Sequence, residues 1–516
     1  MELVNLETIK KKLEDYLERE KSTPFFKEAK LLKENFNKEE LLKRFKEDLK
    51  FGTGGMRGII GAGSSYMNPY NVKRATQALC NYIKGFKKGE ASHNPPAYNG
   101  YKAYWCTGGQ LTPPHDEEVV KAFALVNEVK ELSEKEALES NLLIYLKDEL
   151  DELYLKKINE SLPNLCKQTQ EKKLRLVYTP LHGIGGLLVD KLYADLKEVQ
   201  VYKVEQQIKP NGDFPSLKYP NPEEPSAYAL AINLADQVDA DLIIANDPDA
   251  DRMGCQTKNP QGEWVFINGN QIGCLFLDYL LRHDEKASQA YLTNSIVTTD
   301  LQERIADYYS AHTIKTLTGF KWMALEVDRL KKERPELHLA LATEESYGFF
   351  SGDYTRDKDA LLASKLLVEI TLWLKQRNLS LLDYLEEIWK KVGFYQDALL
   401  SKTYEGLDCQ VQRERIMKRM REESLTHIGR FPISYKKDYW LLEQSDQKGS
   451  KKAIEAKFKT DALEFVLEGQ AKFSLRPSGT EPKIKMYLSA WGTWQDREKV
   501  VQRLNQLKQE LEIFLS

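Results

Sequence analysis

Leu242-Ile243-Ile244-Ala245-Asn246-Asp247-Pro248-Asp249-Ala250-Asp251-Arg252 decides the fold class. Its first four residues form a short, uninterrupted apolar run, the pattern of a strand buried on both faces in a parallel sheet. Three carboxylates follow at alternate positions, where such a strand ends and where ligands gather in open α/β sheets. Left alone they would repel one another; with one hard cation between them their oxygens can converge. An acidic surface turn is the plain alternative, and the position at a strand end favours a metal loop. An EF-hand is excluded, because Arg252 stands at its glycine position, Lys258 at its bidentate glutamate, and a strand precedes it where a helix should. Ligands that are all oxygen suggest Mg²⁺, with open positions for a phosphoryl oxygen.

Outward from this loop, apolar runs of strand length recur at 174–178, 290–293, 313–317 and 337–342, each with helical sequence nearby. Strand and helix in alternation predict an α/β fold with parallel sheets. From 462 onward the character changes: 462–467, 472–475 and 484–489 predict an antiparallel sheet, closed by a helix from about 496. The first fifty residues predict helices, with Leu6, Ile9, Leu13 and Leu17 on one face and Leu41, Phe45 and Leu49 on another. Asn37 with Glu40 suggests a capping box for the second. A third helix carries Val72, Ala75, Leu79 and Ile83 on one face. The expected division is 1–175, 176–267, 268–395 and 396–516.

The 516 residues are 41% hydrophobic and 30% charged, with 75 Lys and Arg against 78 Asp and Glu and a net charge of −3. That balance supplies no basic field, so no nucleic-acid partner is expected. No stretch approaches a membrane span, and the charged start lacks the apolar core of a secretory signal. Six scattered cysteines without a C-x-x-C pair fit a reducing cytoplasm.

Other motifs carry chemistry more ambiguously. Arg476-Pro477-Ser478-Gly479-Thr480 joins a planar cation, two hydroxyls and a glycine-opened backbone, all suited to phosphate; a tight turn is its plain reading. Ser92-His93-Asn94-Pro95 sets a hydroxyl beside an imidazole, although a serine before Asn-Pro more often caps or turns. The glycines at 52–63 match neither the dinucleotide fingerprint nor the P-loop, which leaves a flexible turn. Glu344-Glu345-Ser346 offers carboxylates and a hydroxyl suited to sugar hydroxyls, or simply a polar loop.

Taken in order, Ser-His-Asn-Pro, Asp-x-Asp-x-Asp-Arg, Glu-Glu-Ser and Arg-Pro-Ser-Gly-Thr resemble the α-D-phosphohexomutase family over nearly the whole chain. Phe51-Gly-Thr-Gly-Gly-Met-Arg-Gly58, Thr179-Pro-Leu-His-Gly183, Thr318-Gly-Phe-Lys-Trp322 and Arg356-Asp-Lys-Asp359 resemble its bacterial phosphoglucomutase and phosphopentomutase branch. The resemblance implies three mixed α/β domains with helix-sandwiched sheets and a smaller C-terminal α+β domain around a central cleft. It implies a phosphosugar mutase interconverting glucose 1-phosphate and glucose 6-phosphate, with Mg²⁺ as cofactor and glucose 1,6-bisphosphate as activator. Phosphopentomutase, phosphomannomutase and a non-catalytic sugar-phosphate binder are the alternatives. Ser92 would carry the phosphoryl group and complete the metal shell of Asp247, Asp249 and Asp251. Arg57 and Arg252 would steady the phosphoryl oxygens, and His93 or Lys102 would move the hydroxyl proton. Gly319, Lys321, Glu344, Ser346 and Lys358 would bind the substrate; Arg476, Ser478, Gly479 and Thr480 would grip its other phosphate.

One departure stands out. The resemblance expects a buried strand reading Thr-Ala before Ser92, whereas Ile83-Lys-Gly-Phe-Lys-Lys-Gly-Glu90-Ala91 is polar and puts Glu90 at the threonine position. The family's next βαβ unit, about thirty residues or more, is absent, so domain 1 is shortened. A serine displaced by about 1 Å can lose roughly a hundredfold in rate, so a chain much less active than an intact relative, or inactive, is expected.

Overall fold

The apolar periodicity of the N-terminal region winds up as three helices. The computed structural model describes residues 6–21, 23–35, 37–51, 55–83, 98–146, 148–163, 165, 173–404, 409–423, 425–454, 458–477 and 483–515. Leu6–Arg19 buries Ile9, Leu13 and Tyr16, and Phe25–Asn35 follows. Lys38–Phe45 starts at Asn37, whose side chain accepts the amides of Glu39 and Glu40 at 3.1 and 3.2 Å. The expected reciprocal capping box does not form. Glu40 accepts instead from Arg44 Nε at 2.9 Å, where the acceptor and donor are both charged, whereas the amide at the cap is a neutral donor. The helix stops at Phe45, so Leu49 is not on its face; it packs with Phe51 and Met56, and its amide donates to the Ser64 carbonyl at 2.7 Å.

The chain forms two compact units, Met1–Leu162 with Arg175–Met253 and Asp353–Leu362, and Pro163–Leu174 with Gly254–Gly352 and Ala363–Ser516. In the first, part of the glycine stretch is strand where a flexible turn was expected. β1 (Gly55–Ile59) pairs antiparallel with β2 (Tyr98–Lys102), placing buried Met56 opposite buried Tyr101. Paired residues share a face of the ribbon, so Arg57, Gly100, Gly55 and Lys102 lie together on the other side. Among the described residues this ribbon is the only sheet before β3. β3 (Leu174–Thr179), β4 (Val199–Lys203) and β5 (Leu242–Asn246) then stand in the order β4-β3-β5. β3 runs parallel to β5, and β5 is buried at every residue, as its apolar run demands.

In the second unit, β6 (Met253–Lys258) and β7 (Trp264–Ile267) make a hairpin. β8 (Ala290–Ser295), β9 (His312–Thr316), β10 (His338–Glu344) and β11 (Gly348–Phe350) form a sheet ordered β11-β10-β8-β9. β8 is parallel to β9 and β10, and β11 returns antiparallel. The C-terminal sheet is larger than the three strands expected. β12 (Phe394–Thr403), β13 (His427–Ile428), β14 (Phe431–Asp438), β15 (Glu443–Asp446), β16 (Lys451–Ala453), β17 (Leu463–Leu467), β18 (Ala471–Pro477) and β19 (Lys483–Gly492) are ordered β12-β19-β18-β17-β14-β15-β16, with β13 on β14. Every pairing in it is antiparallel, and the helix Arg497–Leu515 packs its Leu504, Leu507 and Leu511 into the core beneath. Among the described residues no helix is long and apolar enough to cross a membrane.

Candidate functional site

The acidic loop at 247–252, the candidate metal loop, is built by its own carboxylates. Asp247, at the end of β5, accepts the amides of Asp251 and Arg252 on one oxygen, at 3.0 and 2.8 Å. Its carbonyl accepts the amide of Ala250, which adopts a left-handed φ of 55°. This tight turn brings one oxygen each of Asp247, Asp249 and Asp251 within 4.8 Å of one another. Burial first, then Asp251 and Asp249, pushes the Asp247 carboxyl well above the usual carboxylate range. Such a knot of negative charge fits a divalent cation, which would relieve it.

The Thr179–Gly183 segment supports this loop from behind. Leu181 and His182 both have left-handed φ, 47° and 65°. Gly183 lies against the Pro248 backbone, where an added Cβ would come within 2.3 Å of Pro248 Cα. The amide of Ile184 donates to the Pro248 carbonyl at 2.9 Å, and Tyr178 donates its hydroxyl to buried Asn246 at 2.7 Å.

Two cations converge on the triad. Lys102 Nζ stands 3.3 Å from Asp251 and 3.8 Å from Asp249; Lys358 Nζ stands 3.1 Å from Asp251 and 2.9 Å from Asp357. Asp357 also accepts the Tyr104 hydroxyl at 2.8 Å, and the amide of Ala360 donates to the Ala250 carbonyl at 3.0 Å. Thus the Arg356–Asp359 turn is hung on the metal loop. Arg252 reaches Glu223 at 3.1 Å. Arg57 shares the Lys102 face of the ribbon.

The other expected contacts gather in the second unit. Glu344 accepts the amide of Gly319 at 2.5 Å, and Gly319 holds a φ of 112°. Ser346 follows on the turn to β11, while Lys321 is buried, with its ammonium 4.7 Å from the Trp322 ring centroid. Arg476 is on β18, directly opposite Lys485 on β19. Ser92, His93, Ser478, Gly479 and Thr480 lie outside the described residues. Sequence reasoning passed over Tyr104, Glu223 and Asp357. The last stands inside a quoted motif; nothing local marks Tyr104 or Glu223.

Models of the phosphoglucomutase/phosphomannomutase α/β/α domains match 90–130 (domain I), 152–262 (domain II) and 268–392 (domain III). The phosphoglucomutase of Staphylococcus haemolyticus is 30% identical over 506 residues, covering 86% of this chain and 91% of that one. The chain belongs to the α-D-phosphohexomutase family. Another relative in this family, a phosphoglucomutase of Staphylococcus epidermidis, is 32% identical over 401 residues, 77% of this chain and 72% of its own. The fold is that of solved phosphohexomutases. A putative phosphomannomutase from Thermus thermophilus matches with a TM-score of 0.61 at 17% identity, covering 90% of this chain and 99% of that one. The Aspergillus fumigatus N-acetylphosphoglucosamine mutase, solved with GlcNAc-6P and magnesium, gives 0.53 at 13%, covering 98% of each. As a phosphohexomutase the chain is a phosphosugar mutase, an isomerase that acts as an intramolecular phosphotransferase.

Proposed function

We propose that this mutase interconverts glucose 1-phosphate and glucose 6-phosphate through a phosphorylated Ser92 and a glucose 1,6-bisphosphate intermediate. The observation that carries the reading is the convergence of Lys102 and Lys358 on Asp251 beside Asp247 and Asp249, in a chain about 30% identical to bacterial phosphoglucomutases. Phosphoryl transfer asks for positioning and charge neutralisation above all, and this cluster supplies both signs of charge at one point.

Asp247, Asp249 and Asp251 would hold Mg²⁺, which supplies charge neutralisation at the phosphoryl oxygens. Lys102 and Lys358 would steady those oxygens, with Arg57 on the same ribbon face as Lys102. The bond from phosphorus to the Ser92 oxygen breaks as one to the sugar's free hydroxyl oxygen forms, and His93, or Lys102 in its uncharged amine form, takes the hydroxyl proton. Reversal from the other end of the bisphosphate returns a phosphoryl group to Ser92. Glu344, Ser346 and the Gly319 loop would hold the sugar, and Arg476 with Ser478, Gly479 and Thr480 its distal phosphate. A fixed distal grip suits a substrate that must bind in two orientations.

Glucose 1-phosphate turnover with Mg²⁺ and a trace of the bisphosphate tests this, together with mass spectrometry of Ser92. The expected result is phosphate on Ser92 that turns over, at a rate below that of an intact relative, and no turnover in Ser92→Ala. Turnover in Ser92→Ala, or binding without phosphorylation of Ser92, would overturn the reading.

A further inference from the structure

Lys102 and Lys358 approach the acidic triad from different elements, and they differ in what else they hold. Lys102 is the last residue of β2, and it meets Asp251 at 3.3 Å and Asp249 at 3.8 Å. Both carboxylates belong to the triad, so among the described residues Lys102 is paired only with groups that would hold the cation. Lys358 meets Asp251 at 3.1 Å but also Asp357 at 2.9 Å, outside the triad. The Lys102 side chain is only 18% exposed and that of Lys358 only 12%. An ammonium so far withdrawn from water is costly to leave without a negative partner. The two lysines are thus the counter-ions that the chain itself supplies to the triad, and Asp357 gives Lys358 alone a second place to rest.

We propose that Lys102 couples the cation site to the phosphoryl group: a divalent cation on Asp249 and Asp251 displaces the Lys102 ammonium, which then pairs with a phosphoryl oxygen of the sugar phosphate. The inference deepens the proposed function and rests on the triad's role as the Mg²⁺ site. No covalent bond changes; the ion pairs of Lys102 with the triad are exchanged for one with the incoming anion. Lys358 keeps Asp357 throughout, so its charge stays balanced and it carries little of the coupling. Without an anion, Lys102 competes with the cation for the same carboxylates and weakens its binding. With one, that competition ends. The effect is reciprocal, since the anion tightens the cation by the same factor as the cation tightens the anion. In this role Lys102 stays charged, which leaves the hydroxyl proton to His93.

Mn²⁺ binding to the full-length Ser92→Ala chain, followed by electron paramagnetic resonance with and without glucose 1,6-bisphosphate, tests this. That substitution removes phosphoserine as another source of negative charge beside the cation. Each titration is referenced to the same bisphosphate without protein. The bisphosphate is expected to tighten Mn²⁺ binding by about fivefold or more. In Lys102→Met and Lys102→Gln, Mn²⁺ binds more tightly than in the parent when no bisphosphate is present, and the further tightening is largely lost. Lys102→Arg, which keeps the charge, retains the coupling. Lys358→Met also binds Mn²⁺ more tightly, yet keeps the coupling. A misfolded chain loses Mn²⁺, the opposite of the expected change. Undiminished coupling in both neutral Lys102 variants, the outcome if cation and phosphoryl group met directly, overturns the inference and leaves the triad as the metal site. So does a parent whose Mn²⁺ affinity the bisphosphate leaves unchanged, or weaker Mn²⁺ binding in both neutral variants. No Mn²⁺ binding by the parent overturns the metal reading of the triad and this inference with it.

Discussion

Tyr104 and Asp357 show how single side chains aim the cations of this site. Asp357 is shared between the Tyr104 hydroxyl at 2.8 Å and the Lys358 ammonium at 2.9 Å. Burial pushes the Asp357 carboxyl up, yet Lys358 and Lys102 prevail and hold it below the usual carboxylate range. The ionised Asp357 therefore orients Lys358, which also contacts Asp251. Tyr104→Phe and Asp357→Asn each loosen that arrangement without touching the triad. Outer partners of this kind typically change activity or metal affinity by about 10–100-fold, and that loss in kcat/KM is expected of Asp357→Asn, with a smaller one for Tyr104→Phe. Because the two act through one hydrogen bond, the double variant is expected to lose less than the sum. A double-mutant cycle should give a coupling of about 0.5–3 kcal/mol; simple additivity would rule the arrangement out.

At the scale of elements, the metal loop depends on the backbone behind it. The turn after β3 is strained at two successive residues and touches the loop through Gly183, where even a methyl group meets Pro248 main chain. Main chain cannot step aside as a side-chain tip can. Gly183→Ala is thus expected to displace Pro248 and with it Asp247 and Asp249, lowering kcat by about a hundredfold or more, since about 1 Å of misplacement suffices. Weaker Mn²⁺ binding, measured by electron paramagnetic resonance, should accompany the loss. Normal metal affinity with low activity would mean that the turn acts elsewhere. The sequence marked this segment only through resemblance. Its contact with Pro248, some 65 residues later, is created when β3 and β5 pair in parallel.

On the scale of the whole molecule, an ion network centred on buried Lys472 and Glu464 joins the C-terminal sheet to the β8–β9–β10 region of the same unit. Lys472 on β18 lies 2.6 Å from Asp300, which precedes the helix Leu301–Tyr308, and 3.7 Å from Glu464; Lys437 reaches Glu464 at 2.7 Å, and Lys315 reaches Asp300 at 2.8 Å. Removing one partner strands buried charges, so Lys472→Met is expected to cost about 3–5 kcal/mol, read from urea unfolding of that unit. Burial raises the Asp300 carboxyl, but Lys472 and Lys315 overcome it and hold Asp300 well below the usual range; Glu464 is also held low. For carboxyls depressed in the folded state, the stabilisation is fully present above the unfolded pKa of about 4 and fades as pH falls below it. The urea midpoint should therefore drop on acidification from about pH 5, and less steeply in Lys472→Met. An equal acid slope in both chains would contradict the network's role.

What the sequence determined by itself was local. Apolar runs located β3, β5, β8, β9 and β10 to within a few residues; β3, β5 and β8 are buried almost throughout, the pattern of a strand covered on both faces, while β9 is mostly half-buried or exposed. Alternate carboxylates at the end of β5 marked the acidic triad, because their spacing is short-range chemistry. Half-buried or polar strands such as β12, β14, β15 and β16 left no such trace, since their apolar content is set by neighbours distant in sequence. The Asn37 cap was legible, but its partner was not, because Arg44 won Glu40 through geometry that only the folded helix supplies. Only the tertiary structure decided that Lys102, Lys358 and Asp251 meet. Such pairings join residues more than a hundred positions apart. Their energies exist only once sheets and turns have excluded water between them, so no local pattern could carry them.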